Sequence, residues 1–199
     1  MTQLISPNTY SDIRKAADLY AELRHKPPET RRDVKNYVKA FLGLDVPDKR
    51  LCPDHSSPMD YLWHTFALDA RQVSCIEPRT SSDAIVWANR AGGKTELAAV
   101  ATLLDCIFKL DCQVRILGGS GEQAGRMYEY LKHFVHNEFE SFLAGPILKG
   151  KCRFTNGSAV EVLTQSATSV RGQHIQKLRC DELELFDEDV FAAAMAAAK

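Results

Sequence analysis

The sequence predicts an α/β fold: a parallel sheet with flanking helices over residues 81–199, incomplete at its C-terminal end, behind a helical leader over residues 1–80. Two observations carry this reading. After Asp83, short apolar runs with β-branched and aromatic members alternate with longer stretches of helical periodicity, the rhythm of strands and covering helices. Before it, residues 1 to about 80 show helical periodicity broken by prolines.

The chain has 199 residues, room for one domain or for a small module and part of a second. Hydrophobic residues make up 45% and charged residues 26%, the balance of a soluble globular protein. A formal net charge of -1 excludes coating of nucleic acid by bulk electrostatics, so any DNA contact must come from a local patch. The six cysteines form no C-x-x-C pair. The start, MTQLISPNTY, lacks the basic and apolar regions of a signal peptide, so reduced thiols in a cytoplasm are expected. No apolar run is long enough to predict a membrane span.

In the leader, Ser11 is placed to cap a helix through Ile13, Ala16, Ala17, Tyr20 and Leu23. Pro27-Pro28 ends it, and a second helix carries Val34, Tyr37, Val38, Phe41 and Leu42. Residues 43–58, with three prolines, read as a linker, followed by a short amphipathic piece with Tyr61, Leu62, Phe66 and Leu68. Beyond it, Ala84-Ile85-Val86-Trp87-Ala88 suits a buried strand. A glycine turn leads into a helix through Leu97, Val100, Leu104 and Phe108. Val114 to Leu117 is a second strand, and Gly118-Gly119-Ser120-Gly121 opens a helix with Ala124, Met127, Tyr128, Leu131 and Val135 on one face. A hairpin follows, Cys152–Thr155 and Ala159–Leu163 about an Asn156-Gly157 turn. Asn156-Gly157-Ser158 also spells a glycosylation acceptor, which the turn explains better. A polar loop over 164–173, a strand near 175–180 and an alanine-rich helix from Asp187 complete the chain, whose abrupt end reads as truncation.

Residues Ala88-Asn89-Arg90-Ala91-Gly92-Gly93-Lys94-Thr95 fit the phosphate-binding-loop pattern: a small residue, four variable positions, then Gly-Lys-Thr. Small residues let backbone N–H groups close on a phosphate, and the helix that follows points its positive end at the anion. Lys94 has the reach for the β- and γ-phosphates of ATP, and the Thr95 hydroxyl for Mg²⁺. The plain alternative is a Gly-Gly turn before a helix with a solvated lysine. Asp181-Glu182 supplies the acidic counterpart at a strand's end: Asp181 to hold the metal, Glu182 to orient and deprotonate the attacking water. Loop and acidic pair together predict a P-loop NTPase of the RecA-like (ASCE) type. The preceding stretch, Gln176-Lys177-Leu178-Arg179-Cys180, is more polar than a central strand should be. A solvated acidic helix start is the alternative, and it suits Asp187 to Asp189 better than Asp181 and Glu182.

With IVWANRAGGKTELAAVATLLD, VRILGGSGEQAGRMYEYL, NGSAVEVLTQSATSVRGQ and LRCDELELF in this order, the chain resembles the large terminase subunit of tailed phages and prophages, the ATPase that pumps DNA into an empty capsid. The likeness spans Asp83 to about Phe191. It implies coupling of ATP hydrolysis to double-stranded DNA translocation in the cytoplasm of a bacterial host, within a homo-oligomeric ring served by a portal protein and a small terminase subunit. It also implies roles for two arginines: Arg90, four residues before Lys94, as a charge clamp on the nucleotide, and Arg171, in the loop before the acidic strand, as a finger offered to the neighbouring subunit. A plain polar turn is the other reading of Arg171-Gly172. The family's adenine-contacting glutamine finds its nearest counterpart in Gln72, which also reads as a surface residue. Gly118-Gly119-Ser120 and Gln123 lie where related motors carry a second motif, though a helix cap explains Ser120 equally well. The family's nuclease domain has no counterpart in these residues.

Lesser signals are a Cys52, His55, His64, Cys75 set whose spacing fits no common zinc finger, and a locally basic leader whose interleaved acids favour a solvated face. A helicase-like DNA-dependent ATPase and a truncated remnant that binds nucleotide without turnover are the competing functional readings.

Overall fold

A computed structural model describes residues 7–50, 52–66, 84–89, 91–163 and 175–197. The chain divides into two compact units, Met1–Asp45 and Val46–Lys199. This division falls ahead of the boundary expected near residue 80.

In the first unit, α1 (Pro7–His25) starts four residues before the expected Ser11 cap. Proline at its first position has its φ preset for a helix, and Ser11 lies inside the second turn. Helix α2 (Arg31–Leu42) begins with a reciprocal cap: Thr30 Oγ1 accepts the Asp33 N–H, and Asp33 accepts the Thr30 N–H. It ends at Gly43, whose φ of 69° suits glycine. Val34, Tyr37, Val38 and Phe41 are buried, and the Tyr37 hydroxyl donates to the Arg24 carbonyl at 2.8 Å, tying α2 to the end of α1.

The second unit begins with α3 (Pro58–Thr65), capped by Ser57 and Asp60 in the same reciprocal way. Its Met59 and Leu62 are buried, and Phe66 meets Phe108 edge-on at 6.0 Å. That packing puts α3 with the sheet rather than with the leader. The remaining elements are α4 (Lys94–Phe108), β1 (Gln113–Gly118), α5 (Gly121–Phe134), β2 (Lys151–Arg153), β3 (Ala159–Val162), β4 (Lys177–Asp181) and α6 (Glu188–Ala197). Helix α5 runs on through one π turn, Val135–Phe139.

The four strands form one sheet in the order β2-β3-β1-β4. β1 runs parallel to β3 and β4, with Val114 opposite Val160, Leu117 opposite Cys180 and Gly118 opposite Asp181. β2 and β3 make the expected antiparallel hairpin. Alternation then sorts the side chains. Leu117, Leu163, Leu178 and Cys180 pack with Phe186, Val190 and Ala194 at α6, whereas Arg179 and Asp181 reach side chains of α4.

The strand expected over residues 84–88 is not formed. Residues 84–89 have no strand assignment, and Ile85 and Trp87 are 90% and 93% exposed. Strand preference reflects packing on a pleated surface, and β4, at one edge of the sheet, pairs among the described strands with β1 alone. The apolar run forms no ladder with that edge among the described residues.

The Asn156-Gly157 turn does more than reverse the hairpin. Asn156 Nδ2 donates to the carbonyls of Cys106 at 2.8 Å and Lys109 at 3.0 Å, and Ser158 Oγ donates to Lys109 at 2.7 Å. These bonds satisfy carbonyls that the end of α4 would otherwise leave open. Gly157 is obligatory: its φ is 87°, and a Cβ would lie 1.9 Å from Asp111 Oδ1. Asn156→Ala is expected to cost about 1–3 kcal/mol of unfolding free energy, measured by urea denaturation.

Burial pushes the thiols of Cys112, Cys152 and Cys180 up to about 11 each. The folded state therefore keeps protons that the unfolded chain gives up at lower pH. The resulting stability is fully present below about pH 8.5 and lost as pH rises through 11. Unfolding free energy under reducing conditions should fall between pH 8.5 and 11 by on the order of 3 kcal/mol per thiol.

Candidate functional site

The glycine turn before α4 is built on two left-handed residues. Ala91 and Gly93 both have left-handed backbones, with φ of 62° and 75°. For Ala91 that conformation carries a steric cost, the kind of strain found where a loop is shaped for a ligand. The Gly92 N–H donates to the Asn89 carbonyl at 3.1 Å, closing the turn. Gly93 occupies the cap position of α4 without a side-chain cap, leaving the first N–H groups of the helix without that acceptor. Residues 91–93 are exposed. Lys94, the first residue of α4, folds back so that its Nζ donates to the Ala88 carbonyl at 3.2 Å.

Thr95 and Asp181 meet. The Thr95 hydroxyl donates to Asp181 Oδ2 at 2.8 Å, a bond that spans 86 residues and joins the first turn of α4 to the last residue of β4. Asp181 is also held by its backbone, because its carbonyl accepts the Gly119 N–H at 3.0 Å. At Glu182 the chain turns sharply, with φ and ψ both 54°, a left-handed conformation costly for a glutamate. The Glu182 carboxylate accepts a hydrogen bond from Gln123 Nε2 in the first turn of α5. Among the described residues Gln123 Oε1 is buried without a hydrogen-bond partner.

The glycines that end and follow β1 make this closeness possible. A Cβ on Gly118 would lie 2.4 Å from the Ala124 nitrogen. One on Gly119 would lie 2.7 Å from Gln123 Oε1 and 2.8 Å from Leu185 Cβ. Ser120 caps α5, accepting the Gln123 N–H at 3.3 Å, and thereby sets where Gln123 begins. The Gly118-Gly119-Ser120 stretch is therefore both a helix cap and a wall against the acidic strand's end.

Of the residues singled out by sequence, Ala88, Asn89, Ala91, Gly92, Gly93, Lys94 and Thr95 form the loop and the start of α4, and Thr95 touches Asp181. Glu182 is directed to Gln123. Arg90, Arg171, Gln72 and Cys75 lie outside the described residues. Cys52 Sγ touches His55 Nδ1. No group of three or more metal-binding side chains occurs among the described residues.

Sequence reasoning missed a buried cluster beneath the site. Asp105 on α4 is wholly buried and paired with Arg179 of β4, and Lys109 Nζ lies 2.6 Å from Asp105 Oδ1. This pairing explains the polar strand: Arg179 sits on the α4 face of the sheet because an acid waits there. Burial acts to lower the Arg179 guanidinium, but Asp105 foremost, then Tyr61, holds it above its ordinary value. The available signal was Arg179 itself, a charge at an inward position of a strand.

The arrangement places a cation, a hydroxyl and a carboxylate along one turn and one strand end, with a second carboxylate adjoining. Neither a protein-family model nor a curated protein matches the chain. What fold and site define together is a mixed α/β protein, N-terminal helices followed by a four-stranded, mostly parallel sheet with flanking helices. Among the described residues no helix is long and apolar enough to cross a membrane.

Proposed function

We propose that this chain is the ATP-binding and hydrolysing part of a DNA-packaging terminase motor, a P-loop NTPase that couples turnover to translocation of double-stranded DNA. The observation that carries the reading is the 2.8 Å contact of Thr95 with Asp181. It brings the end of a phosphate-loop pattern to the end of an acidic strand, the pairing that Mg²⁺-nucleotide chemistry requires. In this reading residues Ala88 to Thr95 surround the triphosphate, and Lys94 exchanges the Ala88 carbonyl for the β- and γ-phosphates. Thr95 and Asp181 offer a hydroxyl and a carboxylate, the hard oxygen donors that suit Mg²⁺. Glu182 takes the proton of the attacking water. Arg90 steadies the nucleotide's charge, and Arg171 reaches the nucleotide of a neighbour in a homo-oligomeric ring. Double-stranded DNA, a portal protein and a small terminase subunit are the proposed partners, in the cytoplasm of a bacterial host.

A second reading, nucleotide binding without turnover, draws on the exposure of Ile85 and Trp87, which leaves the residues before the loop outside the sheet. Mg²⁺-dependent ATP turnover, with and without double-stranded DNA, separates the two. Glu182→Gln is expected to lower turnover by about 10²–10⁴-fold while nucleotide affinity stays within about twofold. Binding without turnover in the unaltered protein would select the second reading, and absence of binding would remove both. Stimulation by single-stranded DNA alone would point instead to a helicase-like ATPase.

A further inference from the structure

We propose that the buried Asp105–Arg179 pair is a positioning device for the metal end of the site, fixing β4 along α4 so that Asp181 meets Thr95. The inference rests on the nucleotide-site reading and concerns how that site is held together. Four residues carry it, two on each element. Thr95 and Asp105 lie ten residues apart on α4, about 15 Å along the helix axis. Arg179 and Asp181 lie two apart on β4, on the same face, about 7 Å along the strand. Thr95 bonds to Asp181 across 86 residues, and Asp105 bonds to Arg179 across 74. The long arginine side chain makes up the difference between the two spacings.

Two tie points define a register that one does not. The β1 ladder and the Gly119 N–H already hold the backbone of Asp181, so what the deeper tie adds is a fixed position of α4, and with it Thr95, against that strand end. The deeper tie is also the stiffer one. Asp105 is wholly buried, the Arg179 side chain is 10% exposed, and the pair is charge-assisted, with Lys109 on the second carboxylate oxygen. Among the described residues no hydrogen bond or ion pair joins Asp105 or Arg179 to Lys94 or Glu182, so they act through Asp181. They are positioning residues.

The double substitution Asp105→Leu with Arg179→Met removes both halves of the pair and leaves, of this cluster, Lys109 without its acid, at a side chain that is 12% exposed. Arg179→Lys is the milder companion, retaining charge while losing the planar fork and some of its length. Leu103→Ala serves as a control at a buried position of the same helix that takes part in neither hydrogen bond. Each variant is examined for cooperative unfolding, for ADP binding in EDTA, and for Mn²⁺ binding to the ADP complex by electron paramagnetic resonance.

The double variant, or Arg179→Lys if the double variant does not fold, is expected to bind Mn²⁺ about tenfold more weakly, with ADP affinity in EDTA within about twofold. Leu103→Ala is expected to lose stability and keep its Mn²⁺ affinity. Unchanged Mn²⁺ affinity in a folded pair variant overturns the proposal and leaves the nucleotide reading standing. An equal loss in Leu103→Ala overturns it too, because general loosening would then suffice. Absence of ADP binding in the unaltered protein removes the nucleotide reading and this inference with it.

Discussion

Lys94→Ala is expected to abolish ATP turnover, a fall of about 10³-fold or more, with the thermal unfolding midpoint nearly unchanged. The asymmetry follows from where the side chain sits. Lys94 is only partly buried, and its ammonium donates to the Ala88 carbonyl in a segment that is itself largely solvent-lapped. Little folding energy depends on such a contact. Facing a triphosphate, by contrast, the same ammonium opposes concentrated negative charge in a turn whose glycine-capped helix already favours anions. Lys94→Arg should rescue little, because a broad planar fork does not replace a compact charge inside a tight turn. Steady-state turnover and a melting curve on the same preparation test this. Turnover that survives in Lys94→Ala would mean that the glycine turn is not the phosphate site.

The second large effect is on stability. Asp105→Ala is expected to destabilise the protein by about 3–5 kcal/mol, because it leaves Arg179 and Lys109 in an enclosed place without their acid. Asp105→Asn should cost less, since its amide oxygen still accepts one hydrogen bond. Urea unfolding measures both. A loss below about 1 kcal/mol for Asp105→Ala would mean that water reaches the cluster and screens it.

Much of the second unit was legible in the sequence because its signals are local. The amphipathic spacing of α5, the apolar run of β1 and the Asn156-Gly157 turn each name their element within a few residues. The loop pattern and the Asp181-Glu182 pair were likewise readable as separate strings. What could not be read was whether a segment finds a partner. Ile85, Val86 and Trp87 have strand-forming side chains, yet the run pairs with no described strand and remains outside the sheet. The Ser11 cap failed for a different reason: Pro7 already satisfies the demands of a helix start, and nothing between it and Ser11 interrupts the helix. The Asp105–Arg179 and Gln123–Glu182 contacts join residues 74 and 59 positions apart, and no periodicity links such pairs. An acid within the apolar second half of α4 and an arginine in a strand were the visible halves of the first.

These long separations bear on how the protein reaches its native state. Contacts that close large loops form slowly, because the entropy of the intervening chain is lost before the contact rewards it. The Thr95–Asp181 bond encloses 86 residues, so it belongs to the late events of folding. A peptide holding only the glycine turn and α4 would possess the lysine and the threonine but not the carboxylate that meets them. The meeting of Thr95 with Asp181 is thus a product of the whole second unit, and under the proposed nucleotide reading an early folding species would hold the phosphate turn before its cation ligands came together.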